Sequence, residues 1–243
     1  MITLFNFGPA FGLVDMSPFV TKAETLLRLS GLPYCTEQGN LRKAPKGKFP
    51  YIEDDGHLIG DSTLIRWHLE QKYAIDFNRG LSPAESAAGW AFERTAEDHL
   101  YWAVADLYWM DDANFARGPR TYLAALPAAV RPLVAVLLRR RMRARMRAQG
   151  MGLHDRSEII ALGTRSVGAI ADFLGDKPYF MGDYPTGTDA TIFAVVAAAL
   201  TPHFTGALQQ AVARHDNLRR YVGRMAAKFY PEFAEIAGCK PAA

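Results

Sequence analysis

Cysteine is scarce: two in 243 residues, Cys35 and Cys239, in no CxxC pair and at no metal-ligand spacing. That excludes a disulfide scaffold or a zinc ribbon and suits a reducing compartment. Long apolar runs are also missing. No uncharged stretch reaches the roughly 18 residues of a membrane span; the nearest, 123–138, is interrupted by Arg131 and two prolines. No basic residue precedes the first apolar stretch, because Lys22 is the first lysine and follows Asp15. A secretory leader has the opposite order, so a soluble, cytoplasmic chain is expected. Excess charge of one sign is absent: 28 Lys plus Arg stand against 25 Asp plus Glu, a net of +3. That is too mild for a nucleic-acid binder. The six histidines form no HExxH. No GxGxxG follows a strand, and Gly47-Lys48 lacks the Ser or Thr of a P-loop. No metal and no nucleotide are expected.

What is present is an ordinary globular balance, 49% hydrophobic and 22% charged. At this length one large or two modest domains are expected, with a core that needs no staples. Ile2 to Phe7 is a short run of β-formers closed by Gly8-Pro9. After an irregular stretch, Ser17-Pro18 reads as an N-cap with proline at the first helical position, and Gly31 as the stop. Leu32 to Glu37 is a second strand. Phe49 to Glu53 and His57 to Gly60 are two more, joined at Asp54-Asp55-Gly56 by a hairpin signal. Asp61-Ser62 opens an amphipathic helix through Ile65, Leu69 and Tyr73. The order is βαβ, then ββα.

From Ser82 the period changes to helical. Ser82-Pro83-x-Glu85 starts what reads as one long aromatic-rich helix carrying Trp90, Phe92, Tyr101, Trp102, Tyr108 and Trp109. Helices follow over 133–149, 157–174, 189–200 and 217–228. The expected division is 1–78, α/β, and 84–243, all-helical.

Four features of the first half bear on one another. Ser17 puts a hydroxyl beside a helix N-terminus, where free N–H groups and the macrodipole favour an anion. Phe49-Pro50 enters a strand, where a proline that cannot donate needs a reason; a cis bond, which frees the backbone of the preceding residue, is one, and a trans proline on an edge strand is the commoner one. Asp61-Ser62 begins the next helix with a carboxylate and a hydroxyl, which together match an amino-acid headgroup. Lys46 and Lys48 could hold a second carboxylate. Each has a plain alternative as a cap, an edge proline or a solvated loop.

Their order and spacing resemble the N-terminal domain of the glutathione S-transferases, a thioredoxin-like fold, over about residues 1–75. Ser17-Pro18-Phe19, Lys48-Phe49-Pro50-Tyr51-Ile52 and Asp61-Ser62-Thr63-Leu64-Ile65 carry the resemblance. It implies a cis-proline at Pro50, a Ser17 hydroxyl supporting the glutathione thiolate, and glutathione held by Lys48, Phe49, Pro50, Asp61 and Ser62. The Thr186-x-x-Asp189 capping box before an apolar helix also matches the family, as a folding element without chemistry. The runs Ala148 to Gly152, Ser157 to Ile159 and Leu174 to Thr186 are similar to the metaxin and failed-axon-connections branch, without a hydrophobic anchoring tail. The expected activity is transfer of the glutathione thiol to a hydrophobic electrophile, in detoxification. Glutathione is the co-substrate, and a homodimer is the family habit. A non-catalytic binding or scaffold protein of the same fold is the alternative.

The electrophile would lie near Phe11, Tyr101, Trp102 and Tyr108, with Trp109 a further candidate wall. The loop from Ala10 to Met16 is long, so Thr21 or Tyr34 competes with Ser17 for the hydroxyl role. No cysteine stands at the first helix start, which disfavours thiol–disulfide exchange, and Cys35 is expected in the core. Finally, Arg139, Arg140, Arg141, Arg143, Arg145 and Arg147 form a basic run with Leu138, Met142 and Met146 on one stripe. An exposed helix balanced by acidic neighbours is the plain reading, and an acidic lipid or partner the functional one.

Overall fold

The computed structural model describes residues 1–233 and 235–240. It begins with β1 (Ile2–Asn6), α1 (Pro18–Ser30), β2 (Tyr34–Gln38), β3 (Tyr51–Asp54), β4 (His57–Gly60) and α2 (Ser62–Tyr73). The strands form one sheet in the order β2-β1-β3-β4. β1 and β2 are parallel, joined through α1; β1 with β3 and β3 with β4 are antiparallel. This is the expected thioredoxin-like βαβ-ββα order. Ile2, Leu4 and Ile52 pack with Ala23, Leu26 and Leu27 of α1 and Ile65 and Leu69 of α2. The hairpin turn places Asp55 at φ 49° and Gly56 at φ 81°, the two left-handed residues that a two-residue hairpin of this twist demands. Gly31 ends α1 at φ 70°, as a left-handed helix stop should.

The rest is helical: α3 (Pro83–Arg94), α4 (Tyr101–Trp109), α5 (Asp112–Arg117), α6 (Arg131–Gln149), α7 (Arg156–Leu174), α8 (Gly187–Leu200), α9 (Ala207–Ala213) and α10 (Asp216–Phe229). Its centre is α8, every residue of which is buried. Apart from Thr188, Asp189 and Thr191, whose polar atoms are hydrogen-bonded, it is apolar all round, as a helix buried on every side should be. Its start is fixed by Asp189, whose carboxylate accepts the N–H of Thr186 at 2.8 Å, the N–H of Phe180 at 2.7 Å and the hydroxyl of Tyr221 at 3.0 Å. Among the described residues no helix is long and apolar enough to cross a membrane.

Three expectations need correction. The long aromatic helix is two helices, α3 and α4, with a π-helical segment, Thr95–Leu100, between them. Short helices α5 and α9 were not expected, because six or seven residues show too little of a 3.6-residue period. Cys35 on β2 is half-buried rather than core.

The two layers are joined by a buried ionic cluster. Lys22 of α1, 1% exposed, donates to Glu97 Oε1 at 2.6 Å and to Thr63 Oγ1 at 3.1 Å, and lies 3.8 Å from Glu93 Oε2. Arg66 of α2 donates to Glu93 Oε1 at 2.8 Å. Glu97 is supplied by the π-helical segment, and Thr188 and Thr191 of α8 donate to Glu93.

Candidate functional site

The register sets where the four sequence features meet. Phe5 of β1 opposes Tyr51 of β3, and Tyr51 opposes Gly60 of β4. The C-terminal end of β1, the Phe49-Pro50 entry to β3 and the Asp61-Ser62 exit from β4 therefore share one end of the sheet. The Phe49-Pro50 bond is cis. The Pro50 carbonyl accepts the N–H of Asp61 at 3.1 Å, which ties the last two features together.

Ser17 stands at the N-cap of α1 with extended backbone, yet its side chain caps nothing. Pro18 has no N–H, and those of Val20 and Thr21 go to the Ser17 carbonyl. The serine hydroxyl is thus uncommitted among the described residues at a positive helix end. Its backbone is held from behind. The Asp15 carboxylate, 1% exposed, accepts the N–H groups of Ser17 at 2.8 Å, Gly8 at 2.8 Å and Phe7 at 2.9 Å. Burial pushes Asp15 up to about 7, against the lowering effect of those three bonds. Asp15 was not singled out in the sequence. The only local signal is an acid two residues before the serine, in a loop with no other charge.

Asp61 adopts φ 91°, a left-handed conformation unusual for a non-glycine residue and one that sites tend to retain. Its carboxylate accepts from Thr63 N at 3.0 Å and from Lys48 Nζ at 3.1 Å. Burial acts to raise its pKa; the Lys48 hydrogen bond and charge and the helix-start N–H groups outweigh it and hold the carboxyl below its usual range. Ser62 is 3% exposed, and its hydroxyl makes no side-chain hydrogen bond among the described residues. Lys46 is exposed and joins none of these contacts.

The competing hydroxyls are placed elsewhere. Tyr34 opposes Ile2 at the other end of the sheet and donates to Glu24 at 3.1 Å. Thr21 is buried on α1, and its carbonyl faces Thr25 and Tyr230.

The aromatic candidates divide. Phe11, at φ 59°, stacks on His203 at 4.7 Å and meets Tyr122 edge-on at 5.8 Å. Tyr101 meets Phe19, the second residue of α1, at 4.8 Å and Trp102 at 5.3 Å. Trp102 and Trp109 are half-buried against the helical core. Tyr108 is a correction: it is buried, stacked on Phe204 at 3.6 Å, and donates its hydroxyl to the Ala198 carbonyl at 2.6 Å. It is a core residue with little free surface. Tyr122, on the 3-10 segment Pro119–Ala125, was missed. It packs on both Phe7 and Phe11, and partial burial, with the Asp15 charge, raises its hydroxyl to about 12. Its sequence neighbourhood is proline-broken and carries no pattern.

Two family profiles match: "Glutathione S-transferase N-terminal domain" over residues 18–114 and "Glutathione S-transferase, C-terminal domain" over residues 163–225. The chain is 34% identical over 207 residues to isoprene-epoxide–glutathione S-transferase of Rhodococcus sp. (strain AD45), covering 81% of this chain and 85% of that one. It is 30% identical to Failed axon connections of Drosophila melanogaster over 97% of this chain and 24% identical to human metaxin-1 over 94%. It spans 60% and 51% of the lengths of those two. A Pseudomonas fluorescens glutathione transferase family member, solved with two glutathione bound, superposes with a TM-score of 0.62 at 15% identity, covering 97% of this chain and 92% of that one. The chain belongs to the glutathione S-transferase superfamily, with likeness to its metaxin branch.

Proposed function

We propose that the protein is a working glutathione S-transferase that joins the glutathione sulfur to a hydrophobic electrophile. The observation that carries this reading is the Ser17 hydroxyl, left unused as a cap at the end of the sheet where cis-Pro50 and Asp61-Ser62 converge. In this reading the backbone of Phe49, freed by the cis bond, pairs with the cysteinyl unit. Asp61 accepts from the γ-glutamyl ammonium, while Ser62 and the start of α2 take its carboxylate. Lys48 holds Asp61 and offers charge to a glutathione carboxylate.

A free thiol titrates near 8.5, so only a few per cent is thiolate at neutral pH. Lowering it by about two units needs about 2.7 kcal/mol of preferential stabilisation. A hydrogen bond donated by Ser17 and the α1 N-terminus are together of that order. The thiolate, not the serine, is the nucleophile. With an epoxide, the class named for the Rhodococcus relative, the S–C bond forms as a ring C–O bond breaks, and the alkoxide takes a proton. Phe11, Tyr101, Trp102 and Tyr122 are the candidate walls around the electrophile. The Tyr122 hydroxyl, raised to about 12, stays protonated at neutral pH and is a donor candidate.

The second reading is a binding or scaffold protein of the same fold, favoured by the likeness to Failed axon connections and metaxin-1. Thermal unfolding against reduced glutathione separates the two. At about 100 times its dissociation constant a ligand adds about 2.7 kcal/mol, or roughly 5–10 °C for a chain of this size. A saturable rise that Ser62→Ala abolishes supports the transferase reading. No rise at roughly ten millimolar removes it.

A further inference from the structure

Helix α6 takes no part in the site. Its nineteen residues, RPLVAVLLRRRMRARMRAQ, hold seven arginines and no acid. The chain as a whole carries only +3, so the remainder is acidic on balance. Two of the arginines serve the protein itself. Arg131 donates to the carbonyls of Leu126 and Ala124, and Arg139 to those of Trp109 and Met110 and to Asp112. Arg140, Arg141, Arg143, Arg145 and Arg147 are exposed and make no ion pair among the described residues. Asp106 shares a hollow with Arg143 and Arg147 but pairs with Arg156 at 3.9 Å, so among the described residues no acidic neighbour pairs with these five arginines. Arg141 with Arg145 and Arg143 with Arg147 stand four apart, a like-charge spacing that destabilises an isolated helix. An anionic surface would relieve that repulsion.

The apolar residues complete the pattern. At about 3.6 residues per turn, Leu133, Leu137, Ala144 and Ala148 fall along one line, opposite the buried Ala135 and Met146. Leu133 is 62% exposed and Leu137 53%, with Val136 beside them at 49%. Arg140, Arg143 and Arg147 flank the line on one side, Arg141 and Arg145 on the other. An outward apolar line between long cationic stems that can reach to either side is the geometry of a helix lying in a bilayer interface. Cations spread on both sides of the line, along half the helix, suit a continuous anionic sheet.

We propose that α6 docks the protein on an anionic phospholipid surface, its apolar line entering the interface and its arginines meeting headgroup phosphates. The test is co-sedimentation of the full chain with vesicles of phosphatidylcholine alone, and of equal parts phosphatidylcholine and phosphatidylserine. Binding is expected only to the second, weakening as salt rises. Arg140→Gln/Arg143→Gln/Arg147→Gln should weaken it on the order of a hundred-fold, about five-fold per arginine. Leu133→Ser/Leu137→Ser should also weaken it, with helical circular dichroism unchanged in both. No sedimentation with the mixed vesicles at low salt overturns the proposal. So does binding to soluble polyglutamate as strong as to vesicles, with the leucine variant silent, which would mark an acidic protein partner instead.

Discussion

Ser17-Pro18 and Ser82-Pro83 start α1 and α3 with the same two residues and arrive at opposite arrangements. At Ser82 the hydroxyl accepts from Glu85 N at 3.3 Å while the Glu85 carboxylate accepts the Ser82 N–H at 2.7 Å, a closed capping box. At Ser17 the third helical position is Val20, so no side chain returns, and the hydroxyl caps nothing. Its N–H is instead taken by the buried Asp15. α3 secures its own start on the surface. α1 is secured elsewhere, by Asp15 before it and by Lys22 one turn in, bonded to Glu97. A helix anchored that way can leave its first hydroxyl free for a ligand. Ser17 is a capping residue type in the capping position without the capping bond, and a local mismatch of that kind is where function is to be sought.

The anchors are where the largest effects are expected. Lys22→Met leaves Glu97 and Glu93 buried with one cation fewer; a loss of about 3–5 kcal/mol is expected, measured by urea unfolding. A loss under about 1 kcal/mol would mean that α1 is not held by this cluster. Asp15 gives a pH signature. Its folded pKa, about 7, lies above the ordinary 3.8, so its favourable contribution is full below pH 3.8 and is lost as pH rises through about 7. Stability should fall between about pH 4 and 8 by an amount of up to about 4 kcal/mol, and Asp15→Asn should flatten that slope. An unchanged slope in the variant would place the titration elsewhere.

The two serines then separate function from stability. Ser17→Ala should lower turnover about a hundred-fold at neutral pH, the rate equivalent of about 2.7 kcal/mol, with glutathione binding retained. Its stability should change by less than about 0.5 kcal/mol, because no cap is lost. Ser82→Ala should do the reverse, removing about 1 kcal/mol of stability and leaving turnover alone. Equal stability losses at both serines would mean that Ser17 is an ordinary cap.

The elements written in local chemistry were legible in the sequence. Asp-Gly announced the hairpin, Ser82 and Glu85 the start of α3, and Thr186 and Asp189 the start of α8. The site segments were legible through their order and the family resemblance it carries: the register of β3 and β4 brings Phe49-Pro50 and Asp61-Ser62 to the end of the sheet where β1 stops, and Asp15, bonded to Phe7, Gly8 and Ser17, ties Ser17 to the end of β1. What depends on burial was not legible. Lys22 and Asp15 look like surface charges in the chain, and only tertiary packing makes them anchors. Tyr108 and Tyr101 are equivalent aromatics in sequence, yet one is stacked in the core and the other meets Phe19. The π-helical segment that aims Glu97 interrupts a period that continues smoothly on either side.

The measurement that bears most directly on the unused hydroxyl is the thiolate absorbance of bound glutathione, titrated against pH in the wild type and in Ser17→Ala. The wild-type complex should show the thiol about two units below its free value near 8.5, and Ser17→Ala should return it close to that value. The same midpoint in both proteins, near 8.5 or below it, would contradict a thiolate held by Ser17.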